Sequence, residues 1–433
     1  MKNLRLYGAG LLVALLLALV TSSAGGQGAG GSGGGGSGTT VTVKQLGSGS
    51  SVVYYRVGSG NWRPLTLSAG RGTFTATGEY EVAARCDNEN TLSLFKASTA
   101  YRTQVPFSCP PGPRARSVRF TITLPSSVGG VRPQSNDLVT VGSKPVTYKG
   151  TNPMTVDIEK LKASAGAVII TLYRPSISTS AVSYTPYGYK VVSLGVDDTS
   201  VLVDSRGWEA FTSANTKNWS ISAPEGFDVT AFMFHVRDDY LGQIWGVSII
   251  SVIGTAMAEG GTSVTGKYGL LPWDGVYVAF YAADGSDSST DTLTVIQDTG
   301  GNDWNVIPPA PWTSGQFSVN GDTLTFARTD AKAFIAEFSG LAQRTRGTPL
   351  KLNIFVQAAP NGNTTYQIPV IPDLDYRLIS NPSSVNFYLT ALVRDRGLEY
   401  LYSLEFTEEL ARGIDMVMAE KKGTYLGSRY TLP

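Results

Sequence analysis

The chain has 433 residues, too many for a single hydrophobic core, so two to four domains are expected. Its 35 Lys and Arg balance 34 Asp and Glu, which argues against nucleic-acid binding and against polybasic attachment to a membrane surface. With one histidine, His235, any His-based zinc site and any Ser–His or Cys–His catalysis would have to pass through a single imidazole.

Residues 1–24 combine a basic start (Lys2, Arg5), an apolar run from Leu11 to Val20 and small residues at Ser22 and Ala24. That pattern reads as a secretory signal peptide, with a retained signal anchor as the runner-up. The apolar run is too short to span a bilayer comfortably. Residues 25–40 are almost entirely Gly and Ser and read as a flexible tether. This tether resembles the Gly-run stalk that follows many bacterial lipoprotein signals. The chain departs from that pattern in having no Cys before Cys86 to carry a lipid.

The abundance of Gly, Pro and Tyr, with 16% charged residues, points to a turn-rich β protein. A first module is expected over residues 41–113. Within it Tyr80, Val82, Ala84 and Cys86 alternate with Glu79, Glu81, Ala83 and Arg85, the period-two pattern of a half-buried strand. In an exported chain the two cysteines, Cys86 and Cys109, are most simply one disulfide; a redox pair would want C-x-x-C spacing and a flanking helix. A stiff hinge, Pro110-Pro111-Gly112-Pro113, ends the module. Arg114, Arg116 and Arg119 then form a basic stripe on the incoming strand, read as a solvated face.

A second module is expected over residues 114–198, with strands at VRFTITLP, GAVIITLYRP and YKVVSLGV and a short helix in VDIEKLKASAG. Tyr184, Tyr187 and Tyr189 cluster in SYTPYGYK, read as a Pro/Gly loop whose rings could stack on sugars. The alternative is a tyrosine-rich turn packed on its own sheet. A third module, residues 199–287, holds Trp245–Ile253, apolar but too short for a membrane span and so read as a buried strand. His235 reads as a structural histidine. Asp284, Asp287 and Asp291 sit in DGSDSSTD, where carboxylates could hold Ca²⁺, although the loop lacks the twelve-residue pattern and its terminal Glu. A C-terminal β-rich module, residues 288–433, carries strands, a helical turn in FTEELARGI and a hairpin turning at Lys422-Gly423.

An internal repeat is expected. Trp62, Phe74, Tyr80, Val82, Ala84 and Cys86 find counterparts in Trp208, Trp219, Phe227, Val229, Ala231 and Met233, and more weakly in Trp304, Phe317, Leu324 and Phe326. The expected fold is all-β, with tandem immunoglobulin-like β-sandwich domains behind a signal peptide and a Gly-rich linker. The first module, with its Cys-closed strand pattern, resembles bacterial secreted immunoglobulin-like or carboxypeptidase-regulatory-like modules.

No phosphate loop, dinucleotide fingerprint or G-x-S-x-G elbow occurs. Adjacent acids such as Asp197-Asp198, Asp238-Asp239 and Glu408-Glu409 do not supply two carboxyls facing each other across a sugar. The expected function is non-catalytic: an exported envelope or surface protein with a structural or adhesive role. Its expected partners are other surface proteins or glycans, with no cofactor beyond the Ca²⁺ reading. Two alternatives differ in class: a carbohydrate-binding array using the loop tyrosines, and a carboxylate-based extracellular hydrolase.

Overall fold

The computed structural model describes residues 38–47, 49–87, 90–109, 116–160, 165–238, 240, 250–285, 291–398 and 411–433. The expected signal peptide, most of the tether, the proline hinge, Asp287, most of Trp245–Ile253 and all but the end of FTEELARGI lie outside these residues. The fold is all-β, and its strands fall into four units that share one pattern of large-sheet pairing.

The first unit comprises β1 (Thr39–Leu46), β2 (Ser51–Val57), β3 (Arg63–Pro64), β4 (Arg71–Ala76), β5 (Glu79–Cys86), β6 (Thr91–Ser98) and β7 (Gln104–Ser108). Strand β1 pairs antiparallel with β4 and parallel with β7. The other four strands form a second sheet in the order β3-β2-β5-β6, all antiparallel.

The second unit repeats this arrangement. Its strands are β8 (Arg116–Ile122), β9 (Leu138–Val141), β10 (Lys144–Thr147), β11 (Met154–Lys160), β12 (Gly166–Ile177), β13 (Ala181–Leu194) and β14 (Ser200–Val203). Here β11-β8-β14 form the small sheet and β10-β9-β12-β13 the large one. After the short β15 (Glu209–Ala210) the third unit does the same. It has β16 (Thr216–Ser222), β17 (Phe227–Val236), β18 (Ile250–Ala258), β19 (Ser263–Gly269), β20 (Val276–Gly285), β21 (Asp291–Asp298) and β22 (Trp304–Asn305). Its sheets are β19-β16-β22 and β18-β17-β20-β21.

The fourth unit adds one strand to its small sheet. Its members are β23 (Phe317–Asn320), β24 (Thr323–Ala327), β25 (Ala333–Gln343), β26 (Pro349–Gln357), β27 (Asn363–Gln367), β28 (Arg377–Leu378), β29 (Val385–Arg396), β30 (Asp415–Tyr425) and β31 (Arg429–Thr431). The sheets are β27-β24-β23-β31 and β26-β25-β29-β30, with β28 pairing only at the end of β25.

An immunoglobulin constant sandwich places its first, second, fifth and fourth strands in one sheet and its third, sixth and seventh in the other. The first three units instead pair the first strand with the fourth and seventh, and the second with the third and fifth; in the fourth, β23 stands between β24 and β31, so its small sheet departs from that pattern while its large sheet keeps it. This partition is not that of an immunoglobulin constant domain.

The four large sheets are not separate. Antiparallel β13–β18 joins the second unit to the third, antiparallel β21–β30 joins the third to the fourth, and parallel β26–β6 joins the fourth to the first. Every joint pairs outer strands, whose free N–H and C=O groups would otherwise invite outside chains. Among the described residues no pairing links the two remaining outer strands, β10 and β3. Each of these is short, exposed and carries a proline (Pro145, Pro64), which has no N–H to offer a further strand.

Local sequence follows these roles. Several strands of the small sheets alternate, as in the exposed-buried pattern of RGTFTA in β4. Strands of the shared sheet, such as β12, β20 and β25, run buried on both faces and read as near-continuous apolar stretches. The interior of the second unit forms its own cluster around Phe120, Ile170 and Leu172. The opposite face of its large sheet, including Ile169 and Tyr173, joins the core of the other units. There the Tyr173 hydroxyl donates to the Val252 carbonyl at 2.6 Å.

Three local expectations change. VDIEK belongs to a strand, since Met154, Val156 and Ile158 are buried on one side while Thr155 is exposed and Asp157 half-buried. Lys422-Gly423 is not a turn, because β30 runs through it to Tyr425. The tryptophans are not equivalent: Trp62 follows a second strand, Trp208 lies between units and Trp304 sits in a seventh strand. Trp219, fully buried, packs where only glycine fits; a Cβ on Gly266 would lie 2.2 Å from its indole nitrogen.

Cys86 and Cys109 form the expected disulfide, with Cα atoms 5.4 Å apart and a sequence separation of 23. The bridge fastens the end of β5 in the shared sheet to the residue after β7 in the small sheet. Replacing both cysteines with serine is expected to cost the first unit about 3 kcal/mol, from the loop entropy regained by the unfolded chain. Amide exchange in β1 and β5 would accelerate accordingly in the variant, and unchanged protection would rule the effect out.

Candidate functional site

The three tyrosines expected on a loop all lie within β13. Pro186 and Gly188, which suggested a turn, instead flank a bulge where the register with β12 shifts. Tyr187 is buried, and its hydroxyl donates to Asp137 Oδ2 at 2.8 Å. Tyr189 is buried as well; its hydroxyl donates to Glu209, and its ring packs 4.7 Å from Phe211. Tyr184 is half-buried opposite Thr255, and burial pushes its phenol up. No aromatic platform is offered to a sugar here. What Tyr187 belongs to is a buried polar hub, in which Asp137 also accepts from Arg174 at 2.7 and 3.1 Å and from the Gln134 N–H at 2.9 Å.

Of the acidic trio, Asp284 and Asp291 lie within the described residues and are not brought together. Asp284 lies directly opposite Thr292 across β20–β21, so these two share a face of the sheet, and Thr292 donates to Asp284 at 3.0 Å. Asp291, one residue from Thr292, points to the other face and pairs with Lys421 at 2.7 Å. Two carboxylates on opposite faces cannot close on one cation. Among the described residues no group of three His, Cys, Asp or Glu is placed to hold a metal. Arg119 of the basic stripe pairs with Asp157 at 2.8 Å.

His235 is fully buried. Its Nδ1 lies 2.8 Å from the Tyr240 hydroxyl, which accepts from Trp273 Nε1 at 2.7 Å. The indole can only donate, whether the phenol or Nδ1 donates in their contact follows the imidazole tautomer, and Nε2 meets no hydrogen-bond partner among the described residues. Burial, then the nearby Arg237 charge, push its pKa down to about 3. Among the described residues this enclosed imidazole packs against the rings of Tyr240 and Tyr277.

A second polar group sits in the shared sheet. Glu420 accepts from the Tyr388 hydroxyl and from Thr294 Oγ1 at 3.0 Å. Burial is the main cause pushing it up to about 7; its two hydrogen bonds oppose the shift, while the Asp284 and Glu337 charges add to it. Glu337 is itself held by Lys351 at 2.6 Å. These acids are engaged by the sheet's own side chains and do not face each other across an accessible cleft.

The seam between the first and fourth units opens differently. A cleft of about 690 Å³ is lined by Tyr101 and Arg102 from the loop after β6, Lys332 and Gln357 from the fourth unit, and Asp395 and Arg396 at the end of β29. The Tyr101 hydroxyl donates to Asp395, and Arg102 lies 3.6 Å from the same carboxylate. Below them Phe95 and Phe355 stack at 4.2 Å across the parallel joint. No sequence signal marks this cleft, because its walls are brought together only by the β6–β26 pairing.

Comparison with known proteins adds little. No family model and no curated protein matches the chain. Among solved structures, an Escherichia coli alpha-2-macroglobulin activated by porcine elastase aligns with 90% of this chain and 53% of its own length. At 9% identity and a TM-score of 0.12, that likeness carries no argument. The chain spans about half the length of that protein.

Proposed function

We propose that this chain is a non-catalytic exported protein of the cell envelope or cell surface, with a structural or adhesive role. The observation that supports this most is the edge-to-edge joining of four sandwich units through one sheet. Such a scaffold sets the spacing of its surface loops and resists bending at the joints, as a spacer or adhesin requires. The Cys86–Cys109 bridge fits an oxidising compartment. Among the described residues no helix is long and apolar enough to cross a membrane.

The test is fractionation of the producing cells, with N-terminal sequencing of the recovered chain and a deletion strain in parallel. Recovery in the envelope, with a mature start near Gly25 and weakened envelope integrity or surface attachment in the deletion strain, is the expected result. Recovery as free secreted protein that turns over a polysaccharide would overturn the proposal.

A further inference from the structure

The cleft at the seam has the size of a small-molecule site and a lining of uneven charge. Three cations, Arg102, Lys332 and Arg396, face it with Asp395 as the single acid. Asp395 is already engaged, since it accepts from Tyr101 and lies beside Arg102. The acid nearest Lys332 in sequence, Asp330, is taken by Arg328 at 2.7 Å. Among the described residues neither Lys332 nor Arg396 meets a carboxylate. Like charges gathered in a concave surface repel each other and focus a positive field, which a counter-ion relieves.

The walls are also held in place before any ligand arrives. The Lys332 N–H donates to the Leu392 carbonyl at 2.7 Å, and its own carbonyl accepts from the Ala358 N–H at 2.8 Å. The Arg102 carbonyl accepts from the buried Tyr80 hydroxyl at 2.8 Å. The Gln357 side-chain oxygen is used by the Ser98 N–H at 2.8 Å, so its amide nitrogen is the end that remains to donate. Apart from Asp395 and the Thr329 hydroxyl, the polar side-chain ends left over at the cleft are donors or cations.

We propose that this cleft binds a small polyanion bearing at least two carboxylate or phosphate groups, held by Lys332 and Arg396 with Arg102 and the Gln357 amide alongside. Because its walls come from the first and fourth units, the bound anion spans their joint and stabilises it.

The experiment is calorimetric titration of the full chain with inorganic pyrophosphate and, separately, with citrate, at low salt and again at physiological salt. Saturable one-to-one binding that weakens as salt rises is expected for at least one of them. A response to pyrophosphate alone assigns phosphate chemistry, and a response to citrate alone assigns carboxylate chemistry. A double variant, Lys332→Ala with Arg396→Ala, should bind about ten- to a hundred-fold more weakly, the worth of one or two charge-assisted hydrogen bonds. Lys149→Ala, an exposed cation elsewhere, should bind as the parent does. The unliganded melting temperature of the double variant should stay within a few degrees of the parent's, and anion that saturates the parent should raise the variant's melting temperature less. Absence of saturable heat for both anions overturns the proposal. So does equal binding by the parent and the double variant, which would mean an adventitious ion only.

Discussion

Asp137→Ala is expected to destabilise the second unit by about 3–5 kcal/mol, the cost of breaking a buried ion pair from one side. The carboxylate is almost fully enclosed and receives donors from Arg174, the Tyr187 hydroxyl and the Gln134 N–H. Alanine would leave all three donors facing a small cavity that offers them nothing. Arg174 keeps about a third of its side chain exposed, so water can recover part of its loss and the effect should fall toward the lower end. Asp137→Asn retains an acceptor oxygen and should cost roughly 1–2 kcal/mol. The measurement is amide exchange in β12 and β13 under increasing urea. A variant whose protection stayed within about 0.5 kcal/mol of the parent, the usual range for surface changes, would reduce the hub to a bystander.

Glu420 gives the second large effect, and its sign depends on pH. In the folded chain its pKa is raised from 4.5 to about 7, chiefly by burial. Between those values the folded state binds more protons than the unfolded one, so stability falls as pH rises through that window. The full loss, present above about pH 7, is on the order of 3 kcal/mol. Glu420→Gln mimics the protonated acid, and the Thr294 and Tyr388 hydroxyls can donate or accept as the amide requires. The variant should equal the parent near pH 4 and exceed it by about 3 kcal/mol near pH 8. His235 slopes the other way: its pKa is depressed to about 3, so the unfolded state binds the extra proton and stability rises with pH below about 6.5. Because both proteins carry His235, the difference between their urea midpoints isolates Glu420. A difference that stayed flat with pH would sink the assignment.

The sequence made the β class legible through its alternating strands, its Gly- and Pro-rich turns and the pairing of its two cysteines. It misled where composition outvoted alternation. In Met154–Lys160 the charged residues suggested a helix, yet Met154, Val156 and Ile158 already marked every second position. Around Tyr184, Tyr187 and Tyr189, Pro186 and Gly188 read as a loop because a bulge uses the same residues as a turn. A repeat was sought through tryptophans, but what recurs is which strand pairs with which, and different side chains serve that in each unit. Asp284 and Asp291 looked like neighbours in a loop; strand geometry sends them to opposite faces. The seam cleft had no local signature at all, since Tyr101 and Asp395 meet only through the joining of distant edges.

In space the units run second, third, fourth, first, while the ribosome makes the first unit before the other three. Ser98 and Gln357, bonded across the seam, are 259 residues apart in the chain. Strand β6 is therefore complete long before β26 exists to cover it, and its outer backbone groups wait unpaired through most of synthesis. Such non-local closure is slow, and a bare edge can recruit the same edge on a neighbouring nascent chain. The arrival of the fourth unit thus covers two waiting edges at once, β6 through β26 and β21 through β30, on which half-made copies could otherwise pair.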